Sequence, residues 1–392
     1  MSAPIVRLKP RKERPVLLGH PWIFSGAIAH IDPGWEPGQT VTVQDASGAF
    51  LGRGYVNPRC PITVRLLTRS DEAIDAAFIQ RRVATAHALR RAVVPPGTDA
   101  FRLLNGEGDF LPGVIADVYA DTIVLQCLTA GAARLKPLLL EALDAALNPV
   151  GIYERSTGNV RREEGLEPAE GVVSGQVAAE CLLIREHGLS FLVDPRMGQK
   201  TGFFLDQRDN RLLAQQLAAG RSVLNAFAYT GAFAVHAAAG GARQVTSVES
   251  SPRALALAQR NWLANALDHR AAEFVEADVF RYLRTVDRQY ELLILDPPAL
   301  VKRRQELARG ARAYKDLHLW AFRRTAPSGL VLTFSCSQHV PAELFWKIVH
   351  GASVDAQREV QVLRHLGPGA DHPIRLAHPE GEYLKGMLLH VM

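Results

Sequence analysis

Apolar and polar residues alternate at Thr40-Val41-Thr42-Val43, the period-2 pattern of a half-buried strand, and Asp45-Ala46-Ser47-Gly48 behind it supplies a hairpin turn. Similar short runs broken by turn formers extend over 16–72: PWIFSGAI, PGWEPGQTVTVQDASGAFLGRGYVN and PITVRLLTR. They predict a small all-β module. The period then lengthens, because Ile74, Phe78, Val83 and Leu89 share one side of a helix over 73–93, which Pro95-Pro96-Gly97 ends. From 101 to 194 six strand-like runs (FRLLNGE, GVIADVY, TIVLQCL, GIYERS, GVVSGQV and CLLIREHGLSFLV) surround one long helical run, ARLKPLLLEALDAAL, an α+β pattern. Arg161-Arg162-Glu163-Glu164 is expected to form a solvated loop.

Beyond about 196 the texture becomes βαβ. SVLNAFA, QVTSVES, AEFVEA, ELLILD and GLVLTFS are five apolar, β-rich runs separated by helical segments. They predict a parallel sheet with helices on both faces and a ligand outside the carboxyl ends of its strands. The expected division is 1–73, 74–194 and 195–392.

The chemistry gathers at those strand ends. The first junction, Asn225-Ala226-Phe227-Ala228-Tyr229-Thr230-Gly231, has one glycine before the next helix, where the backbone can approach a ligand. It lacks the GxGxxG that clears space for a pyrophosphate, so the ligand is expected to carry no phosphates. Glu249 ends the second run, where a carboxylate can accept hydrogen bonds from ribose hydroxyls, and Asp278 follows the third, within reach of an adenine amino group. The fourth run feeds into Asp296-Pro297-Pro298, a stiff turn that aims an acid and its neighbouring carbonyls at the cleft. The fifth ends in Ser335-Cys336-Ser337, which puts a thiol on the same rim as Asp296. Gly198-Gln199-Lys200-Thr201-Gly202-Phe203-Phe204-Leu205-Asp206-Gln207-Arg208 does not match a phosphate loop and is expected to form a lid over the cofactor, and Asp371-His372-Pro373 offers an acid, a base or an RNA contact as readily as a structural loop.

Composition narrows the partners. Hydrophobic residues make up 47% and charged residues 22%, with no apolar stretch long enough for a bilayer and no secretory leader in the basic run MSAPIVRLKPRKERPVLLGH. A cytoplasmic protein without membrane contact is expected. Four cysteines without a CxxC pair argue against zinc and disulfides, and no metal is expected. A net charge of +5, carried largely by arginine, makes a phosphate-bearing partner reasonable.

Together HPWIFSGAI, GRGYVNP, FRLLNGEGDFLPGVIADVY, GQKTGFFLDQR, NAFAYTGAF, DPPA, SCS, DHP and YLKGM give the chain a resemblance, over nearly its whole length, to the bacterial large-subunit (23S) ribosomal RNA cytosine-C5 methyltransferases with an N-terminal PUA domain. The resemblance implies an α/β architecture: a PUA RNA-binding domain, a central α+β domain and a class I, Rossmann-like methyltransferase domain. It implies S-adenosylmethionine as cofactor, with Gln207, Asn225, Phe227, Tyr229, Thr230, Gly231, Glu249, Ser250, Asp278, Val279 and Asp296 around it. It makes Cys336 the nucleophile, since C5 of cytosine attacks an electrophilic methyl only after a thiolate has added to C6, and gives Asp296 the pyrimidine edge. Ribosomal RNA of the large subunit or its precursor is the implied partner, and the apolar surface of the PUA module allows a homodimer. Cys60, where serine is expected, and Glu249, where aspartate is commoner, depart from the family pattern. Competing readings are a guanine-nitrogen methyltransferase on the same fold, a non-catalytic RNA-binding assembly factor, and a small-molecule methyltransferase.

Overall fold

Residues 3–392 are described by a computed structural model; Met1 and Ser2, at the head of the basic N-terminal run, lie outside the described residues. Two compact units result. The first comprises the chain through Ile184 together with Val193–Phe203 and Ala370–Gly381; the second comprises Arg185–Leu192, Phe204–Gly369 and Glu382–Met392.

In the first unit the alternating runs form a six-stranded sheet in the order Trp22–Phe24, Ile62–Thr68, Phe50–Val56, Thr40–Gln44, Ile5–Leu8, Ile28–Ile31. Its buried face carries Val6, Leu8, Val41, Val43, Leu51, Val56, Val64 and Leu66. A five-stranded sheet follows, ordered Ala169–Gly175, Gly151–Ser156, Thr122–Cys127, Val114–Tyr119, Ala100–Asn105, against which the helices Ala76–Val93 and Ala130–Leu147 pack. Both helices start on side-chain caps, with the carboxylate of Asp75 accepting from Phe78 N and the hydroxyl of Thr129 from Ala132 N. The two sheets are locked together by polar residues. Glu164 is buried and takes Arg65 Nη1 at 2.6 Å and Asn57 Nδ2 at 2.7 Å, while the guanidinium of buried Arg161 donates to the Cys127 carbonyl. The expected solvated loop at 161–164 is half right: it lies largely in the short helix Asn159–Glu163, where Arg162 and Glu163 are exposed as expected, while long-range pairing buries Arg161 and Glu164.

The second unit is the βαβ region. Its strands are β1 (Ser222–Ala226), β2 (Gln244–Glu249), β3 (Ala272–Glu276), β4 (Tyr290–Leu295), β5 (Thr325–Ser335), β6 (Val360–Leu366) and β7 (Lys385–Val391), joined in the order β3-β2-β1-β4-β5-β7-β6. The first five are mutually parallel, as expected; β7 is antiparallel and inserts between β5 and β6. The sheet thus has two strands more than the five the pattern gave, and it is mixed. β7 begins inside the YLKGM motif, and its place is fixed by antiparallel pairing with β5 and β6, which no local pattern announces. The central strands are buried along their length, Leu292 to Leu295 being inaccessible to solvent, which explains why they read as unbroken apolar runs rather than alternating ones.

Helices α1 (Arg208–Leu217), α2 (Ala232–Ala239), α3 (Pro252–Ala264), α4 (Val279–Thr285), α5 (Leu307–Arg324) and α6 (Ala342–Ala356) cover this sheet. On α5 the buried positions Gly310, Tyr314, Leu317, His318, Ala321 and Phe322 recur at three- and four-residue spacing. Gly310 is required by contact. A Cβ there would lie 2.2 Å from Val301 Cγ2 and 2.7 Å from the Leu300 carbonyl, so its absence lets α5 press on the segment that follows the Pro-Pro turn.

Candidate active site

All twelve residues singled out as site candidates fall in the second unit, at or just beyond the carboxyl ends of β1 to β5 or at the start of α1. The loop after β1 is built on unusual backbone. Phe227, Tyr229 and Gly231 take φ of +60°, +47° and +77°, a conformation that costs non-glycine residues about 1–3 kcal/mol each and persists only where the surroundings enforce it. Here Glu249 enforces it. One carboxylate oxygen accepts Tyr229 N at 2.9 Å, the other accepts Ser251 N at 2.9 Å and Ser250 Oγ at 3.3 Å, so the acid at the end of β2 ties the two loops together. The side chain of Asn261 on α3 adds a bond to the Thr230 carbonyl at 2.9 Å. Gly231 is also needed for a reason the sequence did not reveal: its missing Cβ would meet Ala258 Cβ at 2.8 Å, so helix packing demands the glycine whatever ligand approaches the backbone.

Within this frame three buried polar atoms have no hydrogen-bond partner: Gln207 Nε2, Asn225 Nδ2 and Thr230 Oγ1. Two amide nitrogens and a hydroxyl left unsatisfied inside a protein are costly, and their sharing one rim signals a polar ligand. Gln207 is oriented by its other end, where Oε1 accepts Asn210 Nδ2 at 2.6 Å. Phe227 packs edge-on against Phe280 and Tyr229 against Phe204. Asp278 caps α4 through Arg281 N at 2.9 Å; it is exposed, and the adjoining Val279 is buried in the core. Its cap explains one oxygen and leaves the other outside that bond.

The thiol is placed by its neighbours. Ser335 and Ser337 are fully buried, and the Tyr314 hydroxyl bridges them, 2.9 Å from Ser335 Oγ and 3.0 Å from Ser337 Oγ. Ser337 Oγ also accepts Val301 N at 3.2 Å, and its carbonyl accepts the Lys385 ammonium at 2.8 Å. With both flanking residues pinned inward, Cys336 remains only partly buried, its Sγ 3.9 Å from the carbonyl oxygen of Pro297 in the Asp296-Pro297-Pro298 turn. Burial pushes the Lys385 ammonium pKa down, while the Cys336 and Glu382 charges act in the opposite direction. Cys60 and Cys127 differ. Burial raises them to about 11 and about 12, which leaves both inert. Tyr314 and Lys385 were not picked out as site residues by sequence, although Lys385 stands in the YLKGM motif.

Thr201 is buried, donating to Asp117 Oδ2 at 2.6 Å and bonded to Tyr119 at 2.8 Å, so the Thr201–Phe203 part of the expected lid is packed into the first unit, while Gln199 and Lys200 are exposed. Asp371 also packs there: its carbonyl accepts Arg90 Nη2 at 2.9 Å and its carboxylate accepts Arg102 N at 2.9 Å, the structural-loop alternative. Among the described residues no group of His, Cys, Asp and Glu is arranged to hold a metal ion, and no helix is long and apolar enough to cross a membrane.

Comparison with known proteins agrees with this geometry. Residues 6–69 match the PUA-like domain family and residues 165–331 the S-adenosylmethionine-dependent methyltransferase family. Over 397 residues, covering all of both chains, the sequence is 43% identical to ribosomal RNA large subunit methyltransferase I of Cronobacter sakazakii. The protein of that name from Serratia proteamaculans is 44% identical over 97% of this chain and 98% of its own. Among solved structures, a Streptococcus mutans protein described as a SAM-dependent methyltransferase superposes with a TM-score of 0.84 at 25% identity, covering all of both chains. A methyltransferase structure complexed with SAH matches equally well, with the same score, identity and coverage. The unsatisfied amides and hydroxyl, the acids at the ends of β2 to β4 and the absence of a pyrophosphate loop fit a sulfonium-bearing nucleoside, which is cationic and carries ribose hydroxyls but no phosphate.

Proposed function

This chain belongs to the ribosomal RNA large subunit methyltransferase I family, and from that premise we propose that it methylates C5 of a cytosine in large-subunit ribosomal RNA, in the cytoplasm, using S-adenosylmethionine. The observation that carries the pyrimidine reading is the position of the Cys336 thiol 3.9 Å from the Pro297 carbonyl, beside the turn that begins with Asp296. The cofactor, when bound, supplies an electrophilic methyl group; Gln207, Asn225, Thr230 and Glu249 would hold it.

The remaining work falls to the protein's own residues. The Cys336 thiolate, favoured by the Lys385 ammonium, forms a bond to C6 of the flipped-out base, and the C5–C6 π pair moves toward N3. Asp296, as the acid, holds or supplies the proton at N3, so charge does not accumulate on the ring. C5, now enamine-like, becomes methylated. A base then takes the C5 proton, the electron pair re-forms the C5–C6 double bond as the S–C6 bond breaks to return the thiolate, and the N3 proton goes back to Asp296. Tyr314 and the two serines keep the sulfur aimed.

The test is nucleoside mass spectrometry of ribosomal RNA from a strain lacking the gene, complemented with wild-type or Cys336→Ala copies. The wild type restores 5-methylcytidine at one position, whereas Cys336→Ala binds S-adenosylhomocysteine as wild type does and restores none. Product from Cys336→Ala, or a methylguanosine in place of methylcytidine, overturns the assignment.

A further inference from the structure

A second concentration of chemistry lies wholly in the first unit, on residues the methyl-transfer reading does not use. A cleft of about 240 Å³ is lined by Thr68, Arg69, Ser70, Arg82, Phe110 and Arg375, among others. Two guanidinium groups lie against one ring: Arg82 Cζ is 5.1 Å and Arg375 Cζ 4.7 Å from the centroid of Phe110. The ring is 40% exposed and its residue sits at φ +60°, so the fold holds a large apolar side chain at the surface in a conformation that L residues rarely adopt. Cation–π attraction to that ring keeps the two forks in place.

The charge of the cleft is not neutralised from within. Arg69 is exposed and donates to the Leu17 carbonyl at 3.0 Å, Arg82 donates to the Leu67 carbonyl at 3.0 Å, and among the described residues Arg375 has neither a side-chain hydrogen bond nor a carboxylate in ion-pair range. The neighbouring acids are engaged elsewhere: Glu72 by Thr68 Oγ1 and Arg81, Glu107 by Trp22 Nε1. Partial burial lowers the pKa of Arg375 and the repulsion of Arg69 and Arg82 lowers it further, against the smaller opposing pull of the Glu107 carboxylate. Three like charges converging on a polar cleft call for a polyvalent anion, and planar guanidinium forks match phosphate oxygens.

We propose that this cleft binds the phosphodiester backbone of the RNA substrate, with Arg82 and Arg375 as phosphate contacts, Phe110 as their buttress and Arg69 at the rim. The inference rests on the RNA reading above and adds a phosphate-binding surface in the first unit. Phosphate is the shared chemistry of RNA and free inorganic phosphate, and the arms of the test separate them.

Full-length wild type, Arg82→Gln/Arg375→Gln and Arg375→Lys are compared on unmodified large-subunit ribosomal RNA, in binding across a salt series and in steady-state methylation. The double variant should raise KM for RNA roughly 10- to 100-fold, and flatten the slope of log K against log salt by about 1.4, two contacts at ~0.7 each on single strands. The rate at saturating RNA and the affinity for S-adenosylhomocysteine should stay at wild-type values, which also reports an intact fold. Arg375→Lys should keep the salt slope while losing part of the affinity. Unchanged KM and slope in an active enzyme overturn the cleft assignment and leave the RNA reading standing. Inorganic phosphate that saturates the cleft without displacing RNA overturns it too. Wild type that neither binds nor methylates RNA removes both.

Discussion

Replacing Gly231 by alanine perturbs the candidate site through the backbone alone. Two costs add. Alanine at φ +77° pays about 1–2 kcal/mol for the left-handed region, and a Cβ placed 2.8 Å from Ala258 Cβ and 3.2 Å from Ala258 Cα overpacks a helix contact, for about 1–3 kcal/mol. The sum is roughly 2–5 kcal/mol of local stability, and the Tyr229 amide should be displaced from Glu249, weakening S-adenosylhomocysteine binding. Ala258→Gly separates the two terms. Alone it costs about 1 kcal/mol as a helix-interior glycine; combined with Gly231→Ala it removes the Cβ clash but not the dihedral cost, so the pair should couple favourably by about 1–2 kcal/mol. Because the chain has two units, global unfolding is a poor readout. Hydrogen exchange of the α3 amides gives the local free energy of each variant, and calorimetry gives ligand affinity. A Gly231→Ala cost below about 1 kcal/mol, or no coupling to Ala258→Gly, refutes the crowding argument.

Other outcomes follow from the same geometry. Lys385→Met should move the acid limb of the kcat/KM profile to higher pH, because a thiol loses its cationic neighbour, while leaving cofactor affinity intact; an unmoved limb rejects the role. His318 is wholly buried, bonded to the Tyr314 carbonyl and Thr333 Oγ1, and burial lowers its pKa to about 4. The unfolded chain binds the proton first, so the stability this neutral ring confers is complete above about pH 6.5 and is lost as pH falls toward 4, by up to about 3 kcal/mol; hydrogen exchange of α5 should show His318→Gln with a shallower acid dependence than wild type. Burial alone would raise the Glu186 pKa, but the two-pronged ion pair with Arg211 and a bond to His236 hold it well below the usual carboxylate range. Glu186→Gln leaves Arg211 buried without its counter-charge and should cost about 3–5 kcal/mol, measured by exchange of α1 and α2 amides; wild-type protection in the variant contradicts this.

The strands that end in chemistry were legible because a buried parallel strand is an unbroken apolar run, and its last residue projects onto the rim. Thus Glu249, Asp296 and Cys336 could be placed from local sequence. Local pattern does not carry who answers whom. Glu249 was assigned to a ligand, yet it also binds the Tyr229 and Ser251 amides; Gly231 was assigned to a ligand, yet it answers Ala258. Tyr314 and Lys385 reach Ser337 from 23 and 48 residues away, and Glu164 reaches Arg65 from 99. Periodicity reports which face is buried, not which distant partner neutralises a charge on it. The antiparallel β7 was missed for the same reason, since its place is fixed by pairing with β5 and β6.

The clamp that Arg90 and Arg102 place on Asp371 binds residues 281 and 269 positions apart, from a stretch that lies in sequence between β6 and β7. The first unit is therefore discontinuous, and a fragment cut after Phe203 would expose a guanidinium and an amide to a missing partner. That closure must wait until nearly the whole polypeptide has been laid down, and with it the completion of the cleft to which Arg375 contributes.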